Sequence, residues 1–191
     1  MNAKRLSLVI ALLILVACLP AMAQSNELGV MGGFLLPHGG SLDTSTSGAL
    51  EGFIAHRLFK APMVGVFAEL PVVGGLSAGA ANVTSSASYS SLFITPGVKV
   101  KLSPPVFPLG AYAVAGAGYA RFNGSNAGVS GEESANKFVF DFGGGLEMKV
   151  VPHVSVRAEI REYETSSFDI LNVTGITGHN LAVLFGVGLK L

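Results

Sequence analysis

Charged side chains that recur at every second position are the part of this sequence with the most chemical capacity. Asp141, Glu147 and Lys149 share one parity in one stretch, Arg157, Glu159 and Arg161 in the next, and Lys99 with Lys101 in an earlier one. In an extended chain such residues all point to one side. Each stretch would therefore hold a line of charge against a single face. The two signs are nearly balanced there, which favours internal ion pairs over a field of one sign. The other chemical candidates are four histidines and one cysteine. His153, Ser155 and Glu159 supply the residue types of a base, a nucleophile and an acid. His38, His56 and His179 have no matched serine and acid, and no nucleophile–base–orienter set converges. No histidine, aspartate and glutamate have the spacing of a metal-ligand set, and no cofactor is expected. The formal net charge is zero, so nothing argues for nucleic-acid binding.

The elements that would carry these charges are strands. Residues 180–191 show the pattern most clearly: Leu181, Val183, Phe185, Val187, Leu189 and Leu191 alternate with Asn180, Ala182, Gly186, Gly188 and Lys190, and only Leu184 breaks the rule. Similar two-residue alternation marks residues 27–36, 49–59, 64–70, 91–102, 109–122, 136–150 and 154–163, giving about eight strands. Short connections bearing proline, Lys60-Ala61-Pro62, Ser103-Pro104-Pro105 and Pro152-His153, follow the second, fourth and sixth. Longer segments rich in Ser, Gly, Asn and Thr, among them 73–86, 123–134 and 165–178, follow the odd-numbered strands.

Composition and the first residues bear on the compartment. Half of the 191 residues are hydrophobic and only 13% are charged. Beyond the first two dozen residues no run of about 18 apolar residues appears. Residues 1–23 read as a cleaved targeting segment: Lys4 and Arg5 form a basic start, 6–17 are apolar, and Ala21-Met22-Ala23 offers a small-x-small site. A competing reading takes Leu15-Val16-Ala17-Cys18 as a lipid-attachment box with Cys18 acylated. Residues 24–191 would then form one domain. High hydropathy spread over alternate positions, with glycine and charge between, is expected of a closed antiparallel barrel facing lipid.

Together the targeting segment, the alternating strands, Ala115-Gly116-Ala117-Gly118-Tyr119, the segment from Arg157 to Tyr163 and the terminal strand resemble the small bacterial outer-membrane β-barrel family (OmpA/OmpX-like). The terminal residue is Leu191 rather than an aromatic, and tryptophan is absent, so aromatic girdles would be built from Phe and Tyr. The resemblance implies an all-β, closed up-and-down transmembrane barrel of about eight strands in the bacterial outer membrane. It implies termini in the periplasm and long loops outside the cell. Its partners would be outer-membrane lipid, lipopolysaccharide and, through the C-terminal strand, the barrel-assembly machinery. The expected role is structural or loop-binding without catalysis. A lipid A hydrolase would need its site at the outer leaflet, whereas His153 and Ser155 fall at the opposite end. Lys99, Asp141, Glu147, Lys149, Arg157, Glu159 and Arg161 would point into the lumen, as ion pairs filling it or as the lining of a narrow channel. A third reading is a soluble lipocalin-like barrel with the apolar faces turned inward.

Overall fold

The computed structural model describes residues 26–38, 46–79, 87–104, 106–126, 132–165, 168–170, 173–176 and 178–191. The predicted targeting segment, residues 1–23 with Cys18, lies outside them. The strands are β1 (Asn26–His38), β2 (Ser47–Lys60), β3 (Val64–Gly79), β4 (Ala87–Ile94), β5 (Gly97–Leu102), β6 (Leu109–Asn126), β7 (Glu132–Val151), β8 (Val154–Thr165), β9 (Phe168–Ile170), β10 (Val173–Ile176) and β11 (His179–Lys190). Each strand of the main sheet pairs antiparallel with its neighbours. The first and last close the ring, from Glu27 opposite Lys190 to His38 opposite His179. Taking β4 and β5 as two halves of one staggered strand, the sheet is a closed barrel of eight strands. Closure removes the unpaired edges that an open sheet would present to lipid. β9 and β10 form a separate hairpin.

The break between β4 and β5 falls at Thr95-Pro96, where alternation alone predicts one continuous strand. Pro71 of β3 lies at the same level, and the Thr95 amide reaches the Pro71 carbonyl at only 3.5 Å. A proline has no N–H to give to a ladder, and Pro71 and Pro96, on adjacent rungs of the two strands, interrupt the pairing there. Pairing resumes on both sides, Val72 with Ile94 and Glu69 with Gly97. β3 therefore runs on to Gly79, through Gly- and Ser-rich sequence that composition alone assigns to a loop. Likewise β6 and β7 extend into the predicted 123–134 loop, and β9 and β10 occupy part of the predicted 165–178 loop. The strand ends bordering the short connections 61–63, 103–108 and 152–153 still gather at one end of the barrel. Those bordering 39–46, 80–86, 127–131 and 166–178 gather at the other.

The facing of side chains decides between the competing barrels. Phe34, Leu58, Phe138, Phe140 and Phe185 are each more than half exposed on the outer surface. Lys99, Glu51, Asp141, Glu147, Arg157, Glu159 and Arg161 are buried within. A soluble lipocalin-like barrel requires the reverse, and an apolar band of this extent is not tolerated by water. That alternative is overturned. Phe59 and Phe107 are exposed at the short-turn end, and Phe138 and Tyr119 stand towards the other. The girdle positions are thus held by Phe and Tyr.

Inward glycines make room for large neighbours. A Cβ on Gly145 would sit 2.5 Å from the Tyr112 hydroxyl, and one on Gly116 would sit 2.5 Å from the Asp141 carboxylate. The lumen is narrow enough that side chains fill it, and the bare backbone at these two positions accommodates the ring and the carboxylate.

Facing can be tested by depth on one strand. Phe140, near the middle of β7, is 57% exposed, and Ser134 lies on the same outer face nearer the loop end. Phe140→Asp should cost on the order of 2 kcal/mol of barrel stability in lipid, and Ser134→Asp well under half of that. The readout is the fraction of protein whose gel mobility shifts only on boiling. Equal folded fractions for the two variants would contradict the facing.

Candidate functional site

The interior divides into two layers along the barrel axis. The layer nearer the short turns is an ion-pair lattice. Arg161 donates from Nε to Glu159 Oε1 at 2.6 Å, from Nη1 to Asp141 Oδ2 at 3.2 Å and from Nη2 to Glu69 Oε1 at 2.8 Å. The last contact crosses the lumen from β8 to β3. The other Glu69 oxygen lies 2.9 Å from Lys99 Nζ and 3.5 Å from Arg157 Nη2. Lys99 also donates to Glu27 Oε2 at 2.9 Å. Lys101 and Lys190 then bracket Glu147 Oε1 at 2.5 and 2.9 Å. The Arg157 guanidinium sits between two rings, its Cζ 4.1 Å from the Phe53 centroid and 4.6 Å from that of Tyr112. The Tyr112 hydroxyl donates to Glu159 Oε2 at 2.8 Å. Five carboxylates and five cations thus join one lattice. With Phe53 and Tyr112 included, all the barrel strands contribute to it.

Such a lattice suits a desolvated interior because each charge has an opposite partner. Glu51 departs from that rule: it is buried, and neither carboxylate oxygen has a hydrogen-bond partner among the described residues. The layer nearer the long loops is apolar. Met31, Leu35, Val73, Phe93, Phe122, Val139, Tyr163, Ala182 and Leu184 form one buried cluster. Phe93 stacks on Tyr163 at 4.6 Å between centroids and meets Phe122 edge-on at 5.7 Å. At the opposite end the barrel opens into a cavity of about 480 Å³ rimmed by Arg57, Lys60, Lys101, Lys149 and Lys190, with Glu27 among them.

Of the residues expected in the lumen, Lys99, Asp141, Glu147, Arg157, Glu159 and Arg161 lie inside and meet one another in the lattice. Lys149 does not. It is exposed on the cavity rim and has no ion pair among the described residues. It still pairs in register with Ser155, and the register shift follows it just before the turn; Lys149 therefore keeps its parity but stands at the open mouth of the barrel rather than within it. Sequence reasoning missed the part played by Glu27 and Lys190, although Glu27 shares parity with Gly29 and Met31, and Lys190 with Gly186 and Gly188. It also missed the ring sandwich around Arg157, for which no local signal exists, since Phe53, Tyr112 and Arg157 come from three separate hairpins.

The histidines come together in a way that chain spacing does not show. Spacing along the chain offers no metal-ligand set, yet His38, Glu162 and His179 converge on the outer face at the loop end. His38 Nε2 is 3.3 Å from Glu162 Oε1, and His179 Nδ1 is 3.6 Å from the same oxygen. Register brings them together across three strands, which no sequence interval reveals. His153 lies in the turn between β7 and β8, and Ser155 is buried, with its hydroxyl 3.5 Å from the Gly188 carbonyl. Glu159, the third member of that sequence set, is instead engaged by Arg161 and Tyr112.

Comparison with known proteins places this geometry. The profile of the outer membrane protein beta-barrel domain matches residues 9–190. No curated protein sequence matches the chain. Among solved structures it is similar to Ail, the attachment invasion locus protein of Yersinia pestis, crystallised in complex with the heparin analogue sucrose octasulfate. That pair shows 13% identity over 87% of this chain and 97% of that one, with a TM-score of 0.58. A major outer membrane protein from Thermus thermophilus aligns with a TM-score of 0.56 at 12% identity, covering 87% of this chain and 98% of that one. The N-terminal β-barrel domain of Pseudomonas aeruginosa OprF gives 0.50 at 16% identity, covering 88% and 98%. At these identities the likeness concerns the fold.

The lattice makes a stability prediction. Arg161→Met would leave Glu69, Asp141 and Glu159 without their shared cation and should cost about 3–5 kcal/mol. Lys149→Met on the rim should stay within about 0.5 kcal/mol. Denaturant midpoints of the detergent-folded barrel provide the comparison, and a midpoint for Arg161→Met equal to the parent's would remove the lattice from the account of stability.

Proposed function

Since the chain belongs to the outer membrane protein beta-barrel domain family, with its setting in the bacterial outer membrane, we propose that it is a non-conducting structural barrel that holds its long loops at the cell surface. One observation carries the reading: the lumen is occupied by side chains along its length. Phe93, Phe122, Val139, Tyr163 and Leu184 have 0% exposure in the apolar layer, and Lys99 has 0% in the lattice below. A water-filled path needs continuous polar surface, and a band of packed apolar side chains interrupts one. The cavity at the short-turn end is a vestibule to that filled interior.

In this reading the long loops lie outside the cell, and the start of β1 and the end of β11, which stand at the short-turn end of the barrel, face the periplasm. Lipopolysaccharide and lipid surround the apolar band. β11, whose outer face alternates through Phe185, Val187 and Leu189, is the element offered to the assembly machinery. Loops on a rigid scaffold are where binding function usually resides, and the lattice supplies that rigidity. Most residues of the loops themselves lie outside the described residues.

Two measurements test the proposal. Purified folded protein in planar lipid bilayers should give a flat current trace under applied voltage; reproducible unitary steps, retained after repurification, would establish the channel reading instead. An epitope inserted within residues 127–131 should be labelled on intact cells. Labelling that requires permeabilised cells would invert the orientation.

A further inference from the structure

We propose that His38, His179 and Glu162 form a Zn²⁺ site on the outer face of the barrel at its long-loop end, clamping the seam where the first and last strands close. His38 and His179 are direct partners across the β1–β11 ladder. On the other side of β11, His179 lies opposite Glu164 and Leu181 opposite Glu162, so Glu162 is a diagonal neighbour of His179, within reach of a long side chain. All three have the outward parity of Leu181, Ile160 and Phe142. They border a surface groove of about 460 Å³ walled by those apolar residues, with Glu164 at its edge.

The distances fit metal ligation. One potential ligand atom from each residue lies within 4.8 Å of the others. The two His–Glu162 separations, 3.3 and 3.6 Å, are longer than a good charge-assisted hydrogen bond. They approach the edge of a tetrahedron with arms of about 2.0–2.1 Å, which is about 3.4 Å. The His38 ring is compatible with the same assignment. Its Nδ1 lies 3.5 Å from the Leu36 carbonyl oxygen; with the proton on Nδ1, that contact would leave the Nε2 lone pair for a metal ion beside Glu162. Metal-bound histidines commonly hold their second nitrogen this way. The rings of His38 and His179 stand 5.6 Å apart at 39°, so neither covers the face of the other.

Ligand type selects the ion. Two imidazoles and one carboxylate suit Zn²⁺, whereas Mg²⁺ and Ca²⁺ prefer all-oxygen shells. Three protein ligands leave a fourth tetrahedral position for water on the groove side. Binding would join β1, β11 and β8 at their loop ends. It would add a metal crosslink to the one seam in the ring that no chain connection holds.

The test uses the full barrel folded in detergent, with Zn²⁺ alone as the probe. Equilibrium dialysis should find one tightly held Zn²⁺ per chain, undisturbed by millimolar Mg²⁺. His179→Ala and Glu162→Gln should each weaken binding by at least about 10-fold. His56→Ala and His153→Ala, at the opposite end, should leave it unchanged. The boil-dependent gel shift certifies that each variant is folded, and Glu162→Gln, which keeps the side-chain shape, carries the test if His179→Ala fails that check. Zn²⁺ should also raise the unfolding temperature of the parent and not that of the two site variants. Absence of stoichiometric uptake by the folded parent, or uptake equal in parent and site variants, would overturn the site.

Discussion

Glu69 joins two halves of the interior. One of its oxygens meets Arg161 at 2.8 Å and the other meets Lys99 at 2.9 Å, so the clusters on the two sides of the lumen share this carboxylate. Charges withdrawn from water are held only where opposite charges and hydrogen bonds replace the lost hydration. In a barrel this narrow, side chains fill the lumen, so little room is left beside its deeply buried charges for water to replace a missing partner. Each member of the lattice therefore depends on its neighbours, and the sum of pairwise contacts understates their joint effect. The glycines at 116 and 145 follow from the same requirement, since a crowded set of long side chains needs bare backbone beside it.

Much of the architecture was legible because strand alternation is a local signal. Leu184 is instructive: it breaks the small-or-polar pattern of its face in β11, and the structure places it in the buried apolar layer. The exception was a true reading of an interior that changes character along its length. Pro71 and Pro96 show where local reading ran out. Pro71 looks like the end of a strand and Pro96 like no break at all, yet β3 continues past Pro71 to Gly79 and the next strand splits at Thr95-Pro96. Lys149 has the right parity for the lumen but stands at its mouth beside the turn, and parity along one strand does not tell how deep a residue lies.

Long-range geometry was less legible than facing. His38, Glu162 and His179 are distant along the chain and meet because β1 and β8 both pair with β11 in fixed register. Alternation predicts which face each occupies, but the stagger between strands decides their height, and stagger is set by pairing across the whole ring. The ring sandwich around Arg157 has the same origin. Sequence reasoning thus recovers the side of the wall on which a residue stands before it recovers which residues stand together.

The polar filling of the barrel also constrains the order of events by which it forms. A hairpin such as β7–β8 carries Asp141, Glu147, Arg157, Glu159 and Arg161 on one face. Placed singly in a bilayer, it would expose all five to hydrocarbon together with a row of unpaired backbone groups, at a cost of several kcal/mol for each group. Partners such as Glu69 and Lys101 arrive only on other strands. A stepwise insertion, one hairpin after another, would therefore climb in free energy at every step. The lower route is concerted: the strands associate near the interface, and the wall crosses the membrane as its two ends meet.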